Sequence, residues 1–217
     1  MDEIVGLINK SAPLPVLVTS GYALLIYRRL TGELKIFTWF LFLSGFIQIT
    51  SSILWFNRTN NLPLLHLYVA GGLVCLAWFY AGVLKGFIDG RIIWGGAILF
   101  SCFTITNSLF FQEIYTFNSN ALTVESILVI ILSLFTFIVL LNDMVKEQKS
   151  HLVKSLNWIN SGLFIYYTSS LLIFYFGDLF TKKFPVFLNQ YTWALHAFFS
   201  LVMYSCFFVG LWKRPKS

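Results

Sequence analysis

Charge is what this chain most lacks: Asp, Glu, Lys and Arg make up 11% of its 217 residues, less than half the roughly 25% usual in a soluble domain. With 58% of the residues hydrophobic and 19% aromatic, a water-soluble fold of this length has too few polar side chains to cover its surface. Cysteine is nearly as scarce. Cys75, Cys102 and Cys206 fall deep in apolar runs, and their spacing supports neither a disulfide framework nor a thiolate metal site. HExxH and CxxC patterns are absent. The basic residues stand singly or in pairs rather than as a stripe, so no nucleic acid is expected as a partner. The N-terminal MDEIVGLINK lacks the positive n-region and small-residue cleavage site of a signal peptide and is expected to stay in the mature protein.

What is present is apolar length. Runs of about 20 residues, enough to cross a bilayer as helix, alternate with short loops that hold nearly all the charge. They place spans at about 12–27, 36–56, 62–84, 92–111, 121–141, 156–177 and 191–212, a single all-α, polytopic domain over residues 1–217 with seven transmembrane helices and no room for a soluble domain. Trp39, Trp55, Trp94, Trp158, Trp193 and Trp212 fall near span ends, where indoles favour the interface. Alternate loops divide the basic residues unequally. Arg28, Arg29, Lys35, Lys85, Arg91, Lys146, Lys149, Lys154, Lys213, Arg214 and Lys216 fall on one side; Lys10, Arg58, Lys182 and Lys183 fall on the other. The positive-inside rule then puts the N-terminus outside and the C-terminus in the cytoplasm.

The second and sixth spans share a Trp, a Ser-Gly pair and a Thr-Ser-Ser triplet, and each is followed by a span with one histidine. This pattern raises a 3+1+3 parallel repeat, with the fourth span as linker; the frequency of Ser, Gly and aromatics in membrane helices is the alternative explanation, and the sequence leaves both open.

Polar side chains within hydrocarbon are costly and mark functional sites. His66 stands near the start of the third span, Asn107 near the end of the fourth, and Glu125 and His196 in the second turns of the fifth and seventh. At 1.5 Å per residue all four sit about 7–10 Å from the midplane on the outer side. Gln48 lies somewhat deeper. The inner halves are almost wholly apolar, with Asn157 and Asn160 as the main exceptions. An outward-facing ligand-binding pocket lined by His66, Asn107, Glu125, His196 and Gln48 is therefore expected, rather than a polar path across the membrane. Each residue also has a packing role open to it: histidine and Asn107 as interhelical glue, Glu125 as an acid near a helix N-terminus. Two histidines and a carboxylate are also suitable ligands for zinc or iron, although residues from separate helices leave no metal signature in sequence. No catalytic residue is assigned.

A retinal protein needs a lysine midway along its last helix, and none precedes Lys213, so no cofactor is expected. The Asp-Arg-Tyr and Asn-Pro-x-x-Tyr motifs of animal seven-helix receptors are absent, as is the Pro-Gln pair of sugar and amino-acid transporters with the 3+1+3 plan. By contrast, FNSNALTVESILVI (Phe117 to Ile130), NWINSGLFIYYTSSLLIF (Asn157 to Phe174) and WALHAFFSLVMYSCFFVGLWK (Trp193 to Lys213) resemble a family of small, uncharacterised seven-helix integral membrane proteins of Bacteroidota-type bacteria. The resemblance implies a multi-pass protein of the cell inner (plasma) membrane, with orphan sensory or accessory character, and places Asn118, Ser119, Glu125, Asn160 and His196 in family motifs. Three functions stay open. A receptor-like or sensory protein would bind a small polar ligand, ion or proton and need a cytoplasmic or membrane signalling partner besides membrane lipid. A small-solute transporter would use the repeat. A membrane-embedded lipid-modifying enzyme would use the histidines and Glu125.

Overall fold

The computed structural model describes residues 5, 6, 8, 11–145 and 150–215; Lys10, Lys146, Lys149 and Lys216, used above to orient the chain, lie outside them. Helix accounts for nearly all described residues, and none is in a strand. The long elements are α1 (Pro13–Ile26), α2 (Gly32–Phe56), α3 (Leu62–Val83), α4 (Gly90–Phe110), α5 (Ser119–Val145), α6 (Ser150–Tyr175) and α7 (Val186–Trp212). A short helix, Gly177–Lys183, lies between α6 and α7. Local chemistry sets the breaks. Proline occupies the first turn of α1 and of α3, where a missing N–H costs nothing. Asp89 caps α4 by accepting the Arg91 amide at 2.9 Å, and Gly86 turns the chain before it at φ +89°, a left-handed conformation that favours glycine.

Five helices, α2, α3, α4, α5 and α7, are long and apolar enough to cross a membrane. A sixth span results if α6 is joined to the short helix, from which it bends by 45°. The first of the seven expected spans coincides with α1, whose 14 residues cover about 21 Å, short of the roughly 30 Å hydrocarbon core. Apolar side chains cover the outside of the bundle: Leu25 is 83% exposed and Phe110 76%. That is the surface a lipid solvent requires.

Each ring helix packs on its neighbours in the order α1, α2, α3, α5, α6, α7 and back to α1, while α4 leans on the outside against α3 and α5. The half of the ring towards the α7 C-terminus is filled. Phe37, Phe40, Phe79 and Phe207 are fully buried, with Phe37 4.9 Å from Phe207 and 5.2 Å from Phe79, centroid to centroid. Beside them the Tyr80 hydroxyl donates to Asn160 Oδ1 at 3.2 Å and shares a 2.8 Å hydrogen bond with Ser133, while Asn160 Nδ2 donates to the Ser133 carbonyl at 3.0 Å. Charged groups belong to this end too. Arg214 donates to the Tyr22 hydroxyl at 3.0 Å, and the Lys213 ammonium lies 5.6 Å from the Trp158 ring centre.

The two Ser-Gly pairs behind the repeat face different ways. A Cβ on Gly45 would stand 3.0 Å from Ser20 of α1, whereas one on Gly162 would stand 2.8 Å from Cys206 of α7. A repeat that carries α1 onto α5 would turn Gly162 towards α5, so the paired motifs do not occupy equivalent places.

Candidate functional site

The opposite half of the ring is hollow. The α2 C-terminal half, the α3 N-terminus, the α4–α5 loop, the C-terminal half of α6, the short helix and α7 from Trp193 to Tyr204 line a cavity of about 900 Å³, within the range of ligand pockets. Trp55, Phe117, Phe174 and Trp193 stand among its apolar walls. Its polar groups are hydroxyls, amides and one imidazole, including Ser44, Gln48, Tyr68, Tyr166, His196 and Ser200. Asp178 and Lys182 carry the only formal charges among the described residues that line it. They pair with each other at 2.9 Å on the short helix.

His196 interrupts the mostly apolar sequence of α7. It faces the cavity and α6, and its Nε2 shares a 2.9 Å hydrogen bond with the Tyr166 hydroxyl. Trp193, Tyr166 and Phe174 ring it at centroid distances of 5.7, 5.5 and 5.4 Å. Gln48 lines the same cavity, its amide donating to Ser52 at 3.4 Å. Deeper down, Ser44 and Tyr68 share a hydrogen bond of 3.1 Å, next to Tyr204 and Met203 on the cavity floor.

His66, Asn107 and Glu125 are not among the residues lining the cavity. His66 turns to α4 and the following loop: Nδ1 lies 2.7 Å from the Ser108 hydroxyl and Nε2 3.2 Å from the Thr116 carbonyl. Asn107 clamps the same corner. Its amide nitrogen donates to Gln112 and Asn118, each at 3.0 Å, and its oxygen accepts from Asn120 at 2.9 Å. These bonds hold the loop so that Tyr115, Thr116 and Phe117 reach the cavity wall. Glu125 is 1% exposed and lies more than one turn into α5, so its carboxyl does not cap the helix. It accepts from the Tyr167 hydroxyl of α6 at 3.2 Å and approaches Gly72 of α3. The five expected site residues thus divide into a cavity pair, a loop clamp and a buried carboxyl between α3, α5 and α6.

No three His, Cys, Asp or Glu side chains converge as metal ligands among the described residues, because His66, Glu125 and His196 face different neighbours. Sequence reasoning passed over Tyr68, Tyr166, Tyr167 and Tyr204, which supply much of the polar chemistry here. Their signal was faint, since a tyrosine ring suits an apolar run and only its hydroxyl needs a partner. Phe117 was hidden in a loop; the absence of a Cβ at Gly177 is what lets its ring lie against the backbone there. No protein-family model, curated protein or solved structure matches this chain.

Proposed function

We propose that the protein is a seven-span, multi-pass receptor-like component of a bacterial inner membrane, with its N-terminus outside and its cavity open to the outside. It binds a small ligand there and passes the bound state to a cytoplasmic or membrane partner. The observation that carries this reading is the one-sided hollow: about 900 Å³ at one end of the ring, against a fully packed aromatic layer at the basic end. A ligand entering such a space changes the packing of α6 against α7, because His196 and Tyr166 join those two helices on the cavity wall. The loops between the long helices are too short to hold a soluble output domain, so the readout is assigned to a partner.

Native mass spectrometry of the protein extracted from its own membranes, compared with the cavity-filling variant Ser200→Phe, tests this. A small molecule retained by wild type and lost from a variant that melts at the wild-type temperature is the expected result. Identical spectra for the two proteins would sink the reading.

The order of the ring favours one second reading, a 3+1+3 transporter: α1 to α3 and α5 to α7 occupy opposite halves, with α4 outside. The differing directions of Gly45 and Gly162 weigh against it. Accumulation of the retained molecule inside proteoliposomes would decide for transport; saturable binding without accumulation would decide for the receptor.

A further inference from the structure

We infer that the ligand of this cavity is electrically neutral, an apolar and largely aromatic or alicyclic body carrying hydroxyl, carbonyl or amide groups. The inference rests on the proposed binding role and names its chemical class. An ion moved into a site walled by Trp55, Phe117, Phe174 and Trp193 loses its hydration and needs a fixed countercharge or several convergent donors to replace it. The described wall offers no countercharge that is free of a partner of its own. Lys182 and Asp178 satisfy each other at the mouth, with ammonium-to-carboxylate distances of 2.9 and 3.0 Å. An anion would have to compete with Asp178 for Lys182, and a cation with Lys182 for Asp178.

Further in, the polar groups are neutral donors and acceptors drawn from four helices: Gln48 on α2, Tyr68 on α3, Tyr166 on α6, and His196 and Ser200 on α7. Drawn from four helices around an aromatic shell, they suit a molecule that carries neutral polar atoms on an apolar frame. None of them carries the fixed positive charge with which a protein holds a carboxylate or phosphate most strongly. His196 adds to this selectivity. Its Nε2 is engaged by the Tyr166 hydroxyl, three aromatic rings surround it, and among the described residues no carboxylate bonds it. The one buried acid nearby, Glu125, bonds Tyr167 and is not among the residues that line the cavity.

Three pyrene probes of matched size separate the possibilities: 1-pyrenemethanol, 1-pyrenecarboxylate and 1-pyrenemethylammonium. Each would be titrated at pH 7 into the full chain in nanodiscs of neutral lipid, with tryptophan-to-pyrene energy transfer as the signal. The baseline is Ser200→Phe, which occupies the cavity but leaves the surface tryptophans in place. The expected result is saturable binding of the alcohol to wild type, at least tenfold tighter than either ion, and its loss from the variant. Tightest binding by the carboxylate or the ammonium, or equal binding of all three, would overturn neutrality and leave the cavity as the binding site. Failure of every probe to distinguish wild type from Ser200→Phe would remove the binding role itself. Ser51→Phe, which fills the same cavity from α2, serves as the second baseline if Ser200→Phe does not fold.

Discussion

Glu125 depends on a single donor. The Tyr167 hydroxyl is its one hydrogen bond among the described residues, and the one ion pair described anywhere is Lys182 with Asp178. Removing that hydroxyl leaves a buried carboxyl with nothing to replace its solvent, a loss of about 1–3 kcal/mol. Replacing the carboxyl by an amide keeps an acceptor for Tyr167 and removes the group that suffers most from burial. Tyr167→Phe should therefore lower the melting temperature, Glu125→Gln should lower it less or not at all, and the double variant should be more stable than the sum of the single losses. Strictly additive losses would show that Tyr167 and Glu125 do not act on each other. The same residues show what sequence could carry. His196 and Gln48 were legible because an imidazole or amide in an apolar run is polar in any setting. Which way each histidine turned was not legible, since His66 and His196 stand at similar depth but answer to Ser108 and Tyr166, partners set by helix rotation.

Helix α6 meets α7 without the usual spacing of side chains. A Cβ on Gly210 would lie 2.8 Å from Ile159 and 2.9 Å from the Ser155 carbonyl, and one on Gly162 would lie 2.8 Å from Cys206 and 3.0 Å from the Met203 carbonyl. The Ser155 hydroxyl also donates to the Gly210 carbonyl. Because backbone stands in the way on both sides, the helices must part to admit a methyl group, and such overpacking costs about 1–3 kcal/mol. Gly210→Ala should lower the melting temperature accordingly. Gly95→Ala or Gly96→Ala on α4, where a Cβ meets nothing within 4 Å, should be neutral or raise it, as removal of chain freedom from the unfolded state predicts. A loss of stability at Gly95 equal to that at Gly210 would place an unrecognised partner against α4. The element plan was the most legible part of the chain, since hydropathy and the loop breakers located all seven long helices to within a few residues. The exceptions lie where helix continues beyond the apolar stretch. Helix α6 starts at Ser150 and α7 at Val186, and Gly177–Lys183 forms a helix where Lys182, Lys183 and Pro185 suggest a loop. Apolar length reports the hydrocarbon core, whereas backbone hydrogen bonding extends into the interface.

At the scale of the whole molecule the chain has two unlike ends. The end with the α7 C-terminus holds Arg28, Arg29, Lys35, Lys85, Arg91, Lys154, Lys213 and Arg214 over a packed aromatic layer, while the end with the cavity holds Arg58, Lys182 and Lys183. If the basic end is cytoplasmic, the cavity samples the outside, and only then does a receptor for an external ligand make sense. A cysteine-free chain bearing Thr59→Cys in the α2–α3 loop or Pro215→Cys after α7 decides the matter, since both positions are exposed and the five long helices α3 to α7 lie between them. In intact cells a membrane-impermeant maleimide should label position 59 and spare position 215 until the cells are opened. The reverse pattern would turn the cavity to the cytoplasm and convert the receptor into a sensor of internal molecules. Labelling of both positions in intact cells would mean an even number of crossings between them. Helix α6 with its bent continuation is the element that meets the span criteria only as a pair, and is therefore the first to which such a result would point.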